Sequence, residues 1–373
     1  MEETSYEALP DDLQTEILSR LPLKSLVQCI CVSKKLASLI RTKAFRDLYL
    51  RRSLTRPRLL FINFPFGRDV LIHSVYQEKE PLCSSGHQRI LISLDPRCEI
   101  SQPILGLICI QENTKVVIFN PGTKKSVALP EIQAHKNVVV ARFFGYDEST
   151  DVFKVLCIIQ FGDGKRSKDY QVFTMKVESG EESNSWRVIT CKHDHSPVTE
   201  GLCKGGFLYY GADESNTDKY VVVSFNVSSE EFSVIELPEE VKIDHRWRLV
   251  NYNGEVALVD DSEFDFGIVK EPNGNGVFEL WVRNETDGTW WRNCIEIPHW
   301  EQHVGNMEFF FKGTIGTGEL VFAQDSVIEG SFYVVYYDTV TQNLRRFTIE
   351  GEARDQLHDV RTFLDHVDST WLM

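Results

Sequence analysis

Short β-prone runs separated by turn residues recur along most of this chain at nearly regular intervals, which limits the folds it can adopt. In each interval a strand-forming run ends in an acidic or amide residue, a turn follows, and an apolar residue opens the next run. The equivalent end points are Asn120, Glu178, Asn226, Asn284 and Asp338, with gaps of 58, 48, 58 and 54 residues. A period of about 50 residues with several short strands per unit is typical of β-propeller blades.

The runs within residues 57–373 are rich in β-branched and aromatic residues, as at 221–225 and 332–337, and Gly, Asn and Asp separate them. A further unit beginning near Phe64 brings the total to about six. We therefore predict that this region is all-β and forms an irregular propeller of roughly six blades. An array of two-sheet sandwiches is the competing architecture.

Residues 1–50 show helical spacing instead. Pro10 and Asp11 suit a helix start, because proline is tolerated in the first turn and acids favour the positive end of the helix dipole. Apolar residues at helical spacing follow, Pro22 interrupts them, and Ser33 suits the cap of a third helix. The sequence thus predicts a multidomain chain, with three helices in residues 1–50, a basic connector at 51–56 and the β domain at 57–373.

Charge divides the chain in the same way. Residues 1–60 hold 11 Lys and Arg against 7 Asp and Glu, whereas the remainder holds 29 against 48, and the net charge is −15. The negative surplus argues against nucleic acid and anionic membrane as partners. No apolar run approaches the length of a membrane span, and the acidic N-terminus lacks the pattern of a secretory signal.

The nine cysteines are scattered and mostly flanked by apolar residues, as at Cys109 and Cys157. This usage predicts reduced, buried thiols in a protein of the cytoplasm, the nucleus or both.

Residues 9–45 contain an ordered series of motifs. Leu-Pro at 9–10 precedes Leu13, Ile-Leu at 17–18, Leu-Pro-Leu-Lys-Ser-Leu at 21–26, Val-Ser-Lys at 32–34 and Ser-Leu-Ile at 38–40. The series resembles the F-box of plant F-box proteins, with a departure at Leu36, where that motif usually has tryptophan. The resemblance implies binding to a Skp-type adaptor, and through it to a cullin and a RING subunit. The residues predicted to contribute to adaptor binding are Leu9, Pro10, Leu13, Ile17, Leu18, Leu21, Pro22, Leu26 and Val32.

The residues themselves also favour a docking role. A segment of about 50 residues buries too little surface to be comfortably stable alone. Its helices carry more apolar positions than their mutual packing uses, so the excess needs a cover, either the β domain or another protein.

Later motifs resemble the plant F-box-associated domain, including Phe-Asn-Pro-Gly-Thr-Lys at 119–124, Asp-Val-Phe-Lys-Val at 151–155 and Leu-Trp-Val at 280–282. The likeness spans about residues 57–350 and implies a kelch-like, target-binding domain. Candidate contact loops are residues 162–169, 213–218, 260–276 and 298–306, the last of which contains Trp300 as a candidate target contact. The combined prediction is a non-catalytic substrate-recognition subunit of a Skp–cullin–F-box ubiquitin ligase, without cofactor and with an unidentified protein target.

Other chemistries have weaker signals. Cys191, His193 and His195 are metal-ligand types on one strand, but a structural zinc site needs a fourth ligand. The glycines at 313–318 lack the following helix of a phosphate-binding loop. We predict neither catalytic nor metal-binding residues. The alternatives are a propeller that binds a small ligand or carbohydrate, a propeller enzyme, and an F-box protein acting outside ubiquitination.

Overall fold

The computed structural model of the chain describes residues 9–64, 69–77, 88–95, 98–132, 138–161, 168–175, 185–214, 217, 219–241, 247–261, 268–326, 331–350 and 359–373. In these ranges an N-terminal group of four helices, the helical unit, is followed by 26 strands and one further helix, α5 Trp300–Val304. None of the helices in these ranges combines the length and the apolar character that a bilayer crossing demands.

The helical unit contains α1 Asp11–Leu18, α2 Leu23–Val32, α3 Lys34–Ile40 and α4 Lys43–Leu54. Prolines precede α1 and α2, whereas Ser33 and Thr42 cap α3 and α4 by accepting hydrogen bonds from backbone N–H groups three residues on. The structure has four helices where the sequence predicts three, because the chain breaks before Thr42 and restarts. Residues 51–54, predicted as part of a connector, continue α4.

The strands form six antiparallel sheets, the blades of a propeller, which confirms the predicted all-β fold of roughly six blades. Blade 1 contains β1 Arg58–Phe64, β2 Asp69–Tyr76, β3 Gln88–Ser93 and β26 Asp359–His366; blade 2 contains β4 Glu99–Ile100, β5 Ile108–Glu112, β6 Lys115–Asn120 and β7 Lys125–Ala128; blade 3 contains β8 Val138–Asp147, β9 Val152–Phe161, β10 Lys168–Met175 and β11 Arg187–Ile189. Blade 4 contains β12 His195–Pro197, β13 Leu202–Lys204, β14 Phe207–Glu214, β15 Lys219–Asn226 and β16 Phe232–Glu236; blade 5 contains β17 Trp247–Tyr252, β18 Glu255–Asp260, β19 Ile268–Lys270, β20 Gly276–Arg283 and β21 Trp290–Ile297; blade 6 contains β22 Phe310–Thr314, β23 Leu320–Ala323, β24 Ser331–Asp338 and β25 Asn343–Glu350.

Strands from distant parts of the chain close the ring. β26 pairs with β1, so the innermost strand of blade 1 comes from the C-terminal region. The first blade begins at Arg58, slightly earlier than the predicted start near Phe64. The other blades take their innermost strand from their own beginning, namely β4, β8, β12 with β13, β17 and β22. Closure of this kind removes the open edge that would otherwise separate the first blade from the last.

Apolar cores lie between successive blades. Six buried clusters in the described ranges each draw residues from two neighbouring blades. In β1, Leu59 and Phe61 pack toward blade 6, whereas Leu60 and Ile62 pack toward blade 2. Successive residues of a strand point to opposite faces of the sheet, so one continuous apolar run serves both neighbours.

Three of the recurring acidic and amide residues, Asn120, Asn226 and Asp338, end the third strand of their blades, and Asn284 directly follows the third long strand of blade 5. Asn226 and Asp338 each accept hydrogen bonds from backbone N–H groups two and three residues on, which starts the turn to the fourth strand. Phe232 and Leu344, six residues later, lie at the start of those fourth strands. Glu178, used to measure the repeat, lies outside the described residues.

The turns divide between two faces of the ring. Strands alternate in direction, so first-to-second and third-to-fourth turns share one face, here called the helical face. Second-to-third turns and the connections between blades share the opposite, distal face. The helical unit packs on the helical face, where α2 approaches Gly122 in the β6–β7 turn and α4 contacts Asp151 in the β8–β9 turn.

Candidate functional site

The helical unit keeps an apolar surface after folding. Leu13, Ile17 and Val32 are 50%, 42% and 79% exposed. Leu13 and Ile17 are four residues apart on α1 and therefore lie on one face of that helix. The two prolines of the predicted docking residues are also exposed. These five residues, Pro10, Leu13, Ile17, Pro22 and Val32, are called the exposed apolar set.

The other four predicted docking residues are buried or partly buried, and they pack the helices against one another. Leu18 and Leu26 are 2% and 0% exposed and belong to a cluster that includes Phe45. Leu9 and Leu21 are partly buried. The structure thus separates packing residues from surface residues, two groups that share one sequence pattern.

An ion pair between two exposed side chains marks where the start of α3 lies next to the start of α1, which places Val32 near Leu13. Lys35 Nζ lies 3.1 Å from Asp11 Oδ1. Val32 ends α2 just before α3, so it lies at the same end as Leu13. Leu36, which replaces the usual tryptophan, is partly buried against the helical core.

Glu16 links α1 to α4. Its Oε1 accepts hydrogen bonds from Arg52 at 2.6 Å and from Arg20 at 2.7 Å, and these bonds lower the pKa of Glu16 below its usual value. The bonds orient α1, and with it Leu13 and Ile17, relative to the rest of the unit.

A charged cluster joins the helical unit to the propeller. Asp151 Oδ2 lies 2.5 Å from Lys43 Nζ and 3.0 Å from Arg46 Nη2, both on α4, and Tyr146 donates its hydroxyl to Asp151 Oδ1 at 2.7 Å. Burial raises the pKa of Asp151, but the bonds from Lys43 and Tyr146 and the charge of Arg46 outweigh burial, so the pKa lies below its usual value. The carboxylate therefore stays ionised at neutral pH and holds α4 on the propeller.

The C-terminal segment reinforces this joint. Trp371 is 2% exposed and packs edge-on against Phe153, with ring centroids 5.0 Å apart. The Arg46 guanidinium lies 3.8 Å from the centroid of the Trp371 ring. Asn120 Nδ2 donates hydrogen bonds of 2.9 and 2.8 Å to two carbonyls of this segment, and Met373 packs against the helical core.

Sequence reasoning missed this joint. Asp151 stands in a motif used for the family likeness, but its partners on α4 are 105 and 108 residues away in the chain. Trp371 offered one usable signal, because so large a ring near a chain end is seldom left in solvent.

Trp300 is a correction to the predicted target-binding residues. It is 2% exposed and packs edge-on against Phe309 and Phe322, at centroid distances of 5.9 and 5.3 Å. The polar residues beside it in sequence lie on the outer side of α5, while Trp300 and Val304 turn into the core between blades 5 and 6. Its ring is therefore covered in this fold.

The strands that flank each of the four predicted contact loops end on the distal face of the propeller. The loops at 162–169 and 213–218 connect second to third strands, residues 260–276 run from β18 to β20 and include β19, and 298–306 connects blade 5 to blade 6. Residues 162–167, 215, 216, 218 and 262–267 lie outside the described residues. A role of these loops in target binding stays a prediction.

His195 is a core residue rather than part of an exposed cluster. It is 1% exposed, with Nε2 2.7 Å from the Tyr210 hydroxyl and Nδ1 3.1 Å from the His193 carbonyl oxygen. Across the part of the chain that the structure describes, no group of three or more His, Cys, Asp or Glu is placed to hold a metal ion. Gly313 lies in β22, and Gly316 and Gly318 lie in the turn from β22 to β23.

Comparison with known proteins agrees with this two-part organisation. Residues 7–48 match the family described as F-box domain, and residues 58–367 match the F-box associated beta propeller domain. The F-box proteins At1g70960 and At1g70970 of Arabidopsis thaliana are 54% and 52% identical to this chain, over all of each chain. The F-box/kelch-repeat protein At3g04660 of the same plant is 33% identical over 97% of this chain and 92% of that protein. With its helical unit, its six-bladed propeller and these matches, the chain belongs to the F-box proteins that carry an F-box associated β-propeller domain.

Proposed function

We propose that this protein is the substrate-recognition subunit of a Skp–cullin–F-box ubiquitin ligase. The helical unit binds a Skp-type adaptor, which links it to a cullin and a RING subunit, and the propeller binds a protein target. The exposed apolar set carries the proposal, because Leu13, Ile17 and Val32 remain in solvent after the helices and the propeller have packed. Apolar helical surfaces of this kind are a common mode of recognition between chains.

In this role the protein acts by tethering, and none of its residues performs chemistry. Tethering raises the effective concentration of target lysines near the ubiquitin-loaded conjugating enzyme. The joint made by Asp151, Arg46 and Trp371 supports this role, since it holds the propeller in one orientation relative to the helical unit. The strands that flank the predicted contact loops end on the distal face, away from the helical unit that binds the adaptor.

We place the working compartment in the cytoplasm, the nucleus or both. The eight cysteines in the described part of the chain are free thiols, which is the state expected in reducing surroundings.

Replacement of Leu13 and Ile17 together by Asp tests the adaptor-binding role. Both side chains are exposed, so the helical core should survive while two apolar contacts are replaced by charges. A buried interface anchor contributes about 2 kcal/mol or more, so we expect affinity for a purified Skp-type adaptor to fall by about 100-fold or more. Isothermal titration calorimetry measures the change.

A matched control is Val340→Asp, at a residue that is 90% exposed in the β24–β25 turn of the propeller. It should bind the adaptor like the wild type. Equal affinity of the double variant and the control, with unchanged circular dichroism, would show that the adaptor docks elsewhere. Leu9 and Pro10 are less suitable targets, because Leu9 is partly buried and Pro10 precedes α1.

A further inference from the structure

A cavity of about 390 Å³ lies at the centre of the propeller. Its walls come from β4, β8, the β12–β13 segment and β26, which are the innermost strands of four successive blades. This volume is within the range of small-ligand sites, about 300–1,000 Å³.

The cavity opens toward the distal face. The connections between blades lie on that face, so each innermost strand begins there and runs toward the helical face. Glu99 is the first residue of β4 and Val139 the second of β8, and Val139 is 65% exposed at the mouth. Arg142, the fifth residue of β8, lies deeper. A ligand therefore reaches the cavity without passing the helical unit.

Arg142 is a buried cation that forms no ion pair with any residue in the described ranges. It lines the cavity, is 7% exposed, and within those ranges its Nε has no hydrogen-bond partner. Its positive charge acts on Cys109 and Cys157, but burial raises the pKa of the Cys109 thiol to about 11 and that of Cys157 well above its usual value. Both thiols stay protonated, so neither neutralises the guanidinium. An unpaired buried charge is costly and points to a group that binds there.

Arg361 adds a second guanidinium to the same cavity. It is the third residue of β26, lies over the Phe64 ring at 5.2 Å, and is 3.8 Å from Asp359. Burial raises the pKa of Cys98 to about 11; the charges of Arg361 and Arg142 oppose that rise, and those of Glu112 and Asp95 add to it. The two guanidinium groups therefore lie within electrostatic reach of one thiol.

Two exposed acids also line the cavity. Glu99 begins β4 at the distal face, whereas Glu200 lies between β12 and β13, about as far along the innermost strand of its blade as Arg142 lies along β8. Carboxylates that share the cavity with a buried cation favour a ligand with a single anionic group and disfavour a polyanion, which the net charge of −15 would also repel. A guanidinium matches a carboxylate with two parallel hydrogen bonds.

We propose that this cavity binds a carboxylate group, with Arg142 as its inner ligand and Arg361 as a second cationic ligand. The carboxylate belongs either to an acidic residue or free C-terminus of a peptide, or to a small organic acid. The proposal does not depend on adaptor docking, since the cavity and the exposed apolar set lie on different parts of the molecule.

Thermal unfolding of the full chain tests the site at constant ionic strength. One arm compares sodium benzoate and sodium succinate with sodium chloride. A second arm compares the peptide acetyl-Gly-Gly-Glu-Gly-Gly-amide with its Gln counterpart, and Gly-Gly-Gly-Gly having a free C-terminus with its amide. We expect at least one carboxylate probe to raise the unfolding midpoint of the wild type above its matched control, and the arm that responds identifies the source of the carboxylate.

Arg142→Met distinguishes a ligand-binding residue from a structural one. Removal of an unpaired buried charge should leave the midpoint of the free protein unchanged or raise it, while affinity for the responding probe falls at least tenfold. Arg46→Met is the matched control, because Arg46 is equally buried but paired with Asp151, so its loss should lower the midpoint. Arg361→Gln should weaken binding with the fold intact.

Three results would overturn the proposal. One is a wild type that responds to no carboxylate beyond its control. Another is an Arg142→Met variant that keeps the full response. The third is a loss of stability in Arg142→Met as large as that in Arg46→Met, which would make Arg142 a structural residue.

Discussion

At the scale of single residues, two buried histidines make the propeller sensitive to acid. Burial lowers the pKa of His195 to about 4 and that of His366 to about 3, from an ordinary value of 6.5. The unfolded chain therefore takes up protons below pH 6.5 that the folded chain cannot take up until the pH is far lower. The free energy of unfolding falls as the pH drops through 6.5, and the effect is complete only below the folded pKa values.

We expect each of these histidines to lower stability by about 2 kcal/mol between pH 7 and pH 5. In His195→Gln the amide keeps polar contacts but does not titrate. About half of the fall in the free energy of unfolding that His195 and His366 together cause between pH 7 and pH 5 should therefore disappear. Urea unfolding at both pH values measures this. His193→Gln, at an exposed histidine two residues away, is the control and should retain the wild-type pH dependence. An unchanged pH dependence in His195→Gln would assign the acid sensitivity to other groups.

At the scale of elements, one carboxylate contributes much of the attachment of α4 to the propeller. Asp151→Asn removes the negative charge that faces Lys43 and Arg46, so it should loosen the helical unit while the blades stay folded. Loss of one partner of this partly buried cluster costs about 2 kcal/mol, after allowance for its partial exposure. Hydrogen exchange should accelerate in α4 and remain slow in the strands of blades 4 and 5.

The control for this change is Glu16→Gln, which weakens the contact between α1 and α4 without touching the propeller. It should affect exchange within the helical unit only. Since the folded pKa of Asp151 is lowered below 3.8, its contribution is present in full above that value and is lost as the pH falls through the lowered pKa. Protection of α4 that is identical in Asp151→Asn and wild type would show that the C-terminal segment suffices for attachment.

At the scale of the whole molecule, the last 15 residues serve two separable purposes. Deletion of residues 359–373 removes β26 and leaves β1 as an unpaired edge, so we expect loss of cooperative folding and aggregation. Deletion of residues 369–373 keeps β26 but removes Trp371, at a cost of about 3–5 kcal/mol. Size-exclusion chromatography and thermal unfolding distinguish the outcomes: the shorter deletion should remain monomeric with a lowered midpoint. A monomeric, cooperatively unfolding 1–358 fragment would show that the ring does not need its closing strand.

The sequence predicted the blades well because their signals are local. A turn forms where a side chain such as Asn226 accepts a hydrogen bond from the backbone two residues on. A strand forms where alternate side chains contact those of neighbouring strands. Trp300 was misplaced for the opposite reason. Its polar neighbours indicated an exposed loop, whereas the direction of its ring depends on a short helix packed against Phe322, a residue of another blade.

By itself the sequence determined the helical start, the repeat of about six β units and the order of motifs that marks an F-box, because these depend on contacts within a few tens of residues. Only the tertiary structure decided which apolar residues of the helical unit stay exposed, that Trp371 and Asp151 fasten this unit to the propeller, and that Arg142 lies buried with no ion pair to the residues that the structure describes. The exposed surface depends on how four helices pack together, and the attachment depends on segments more than 100 residues apart, as Arg46 and Asp151 are.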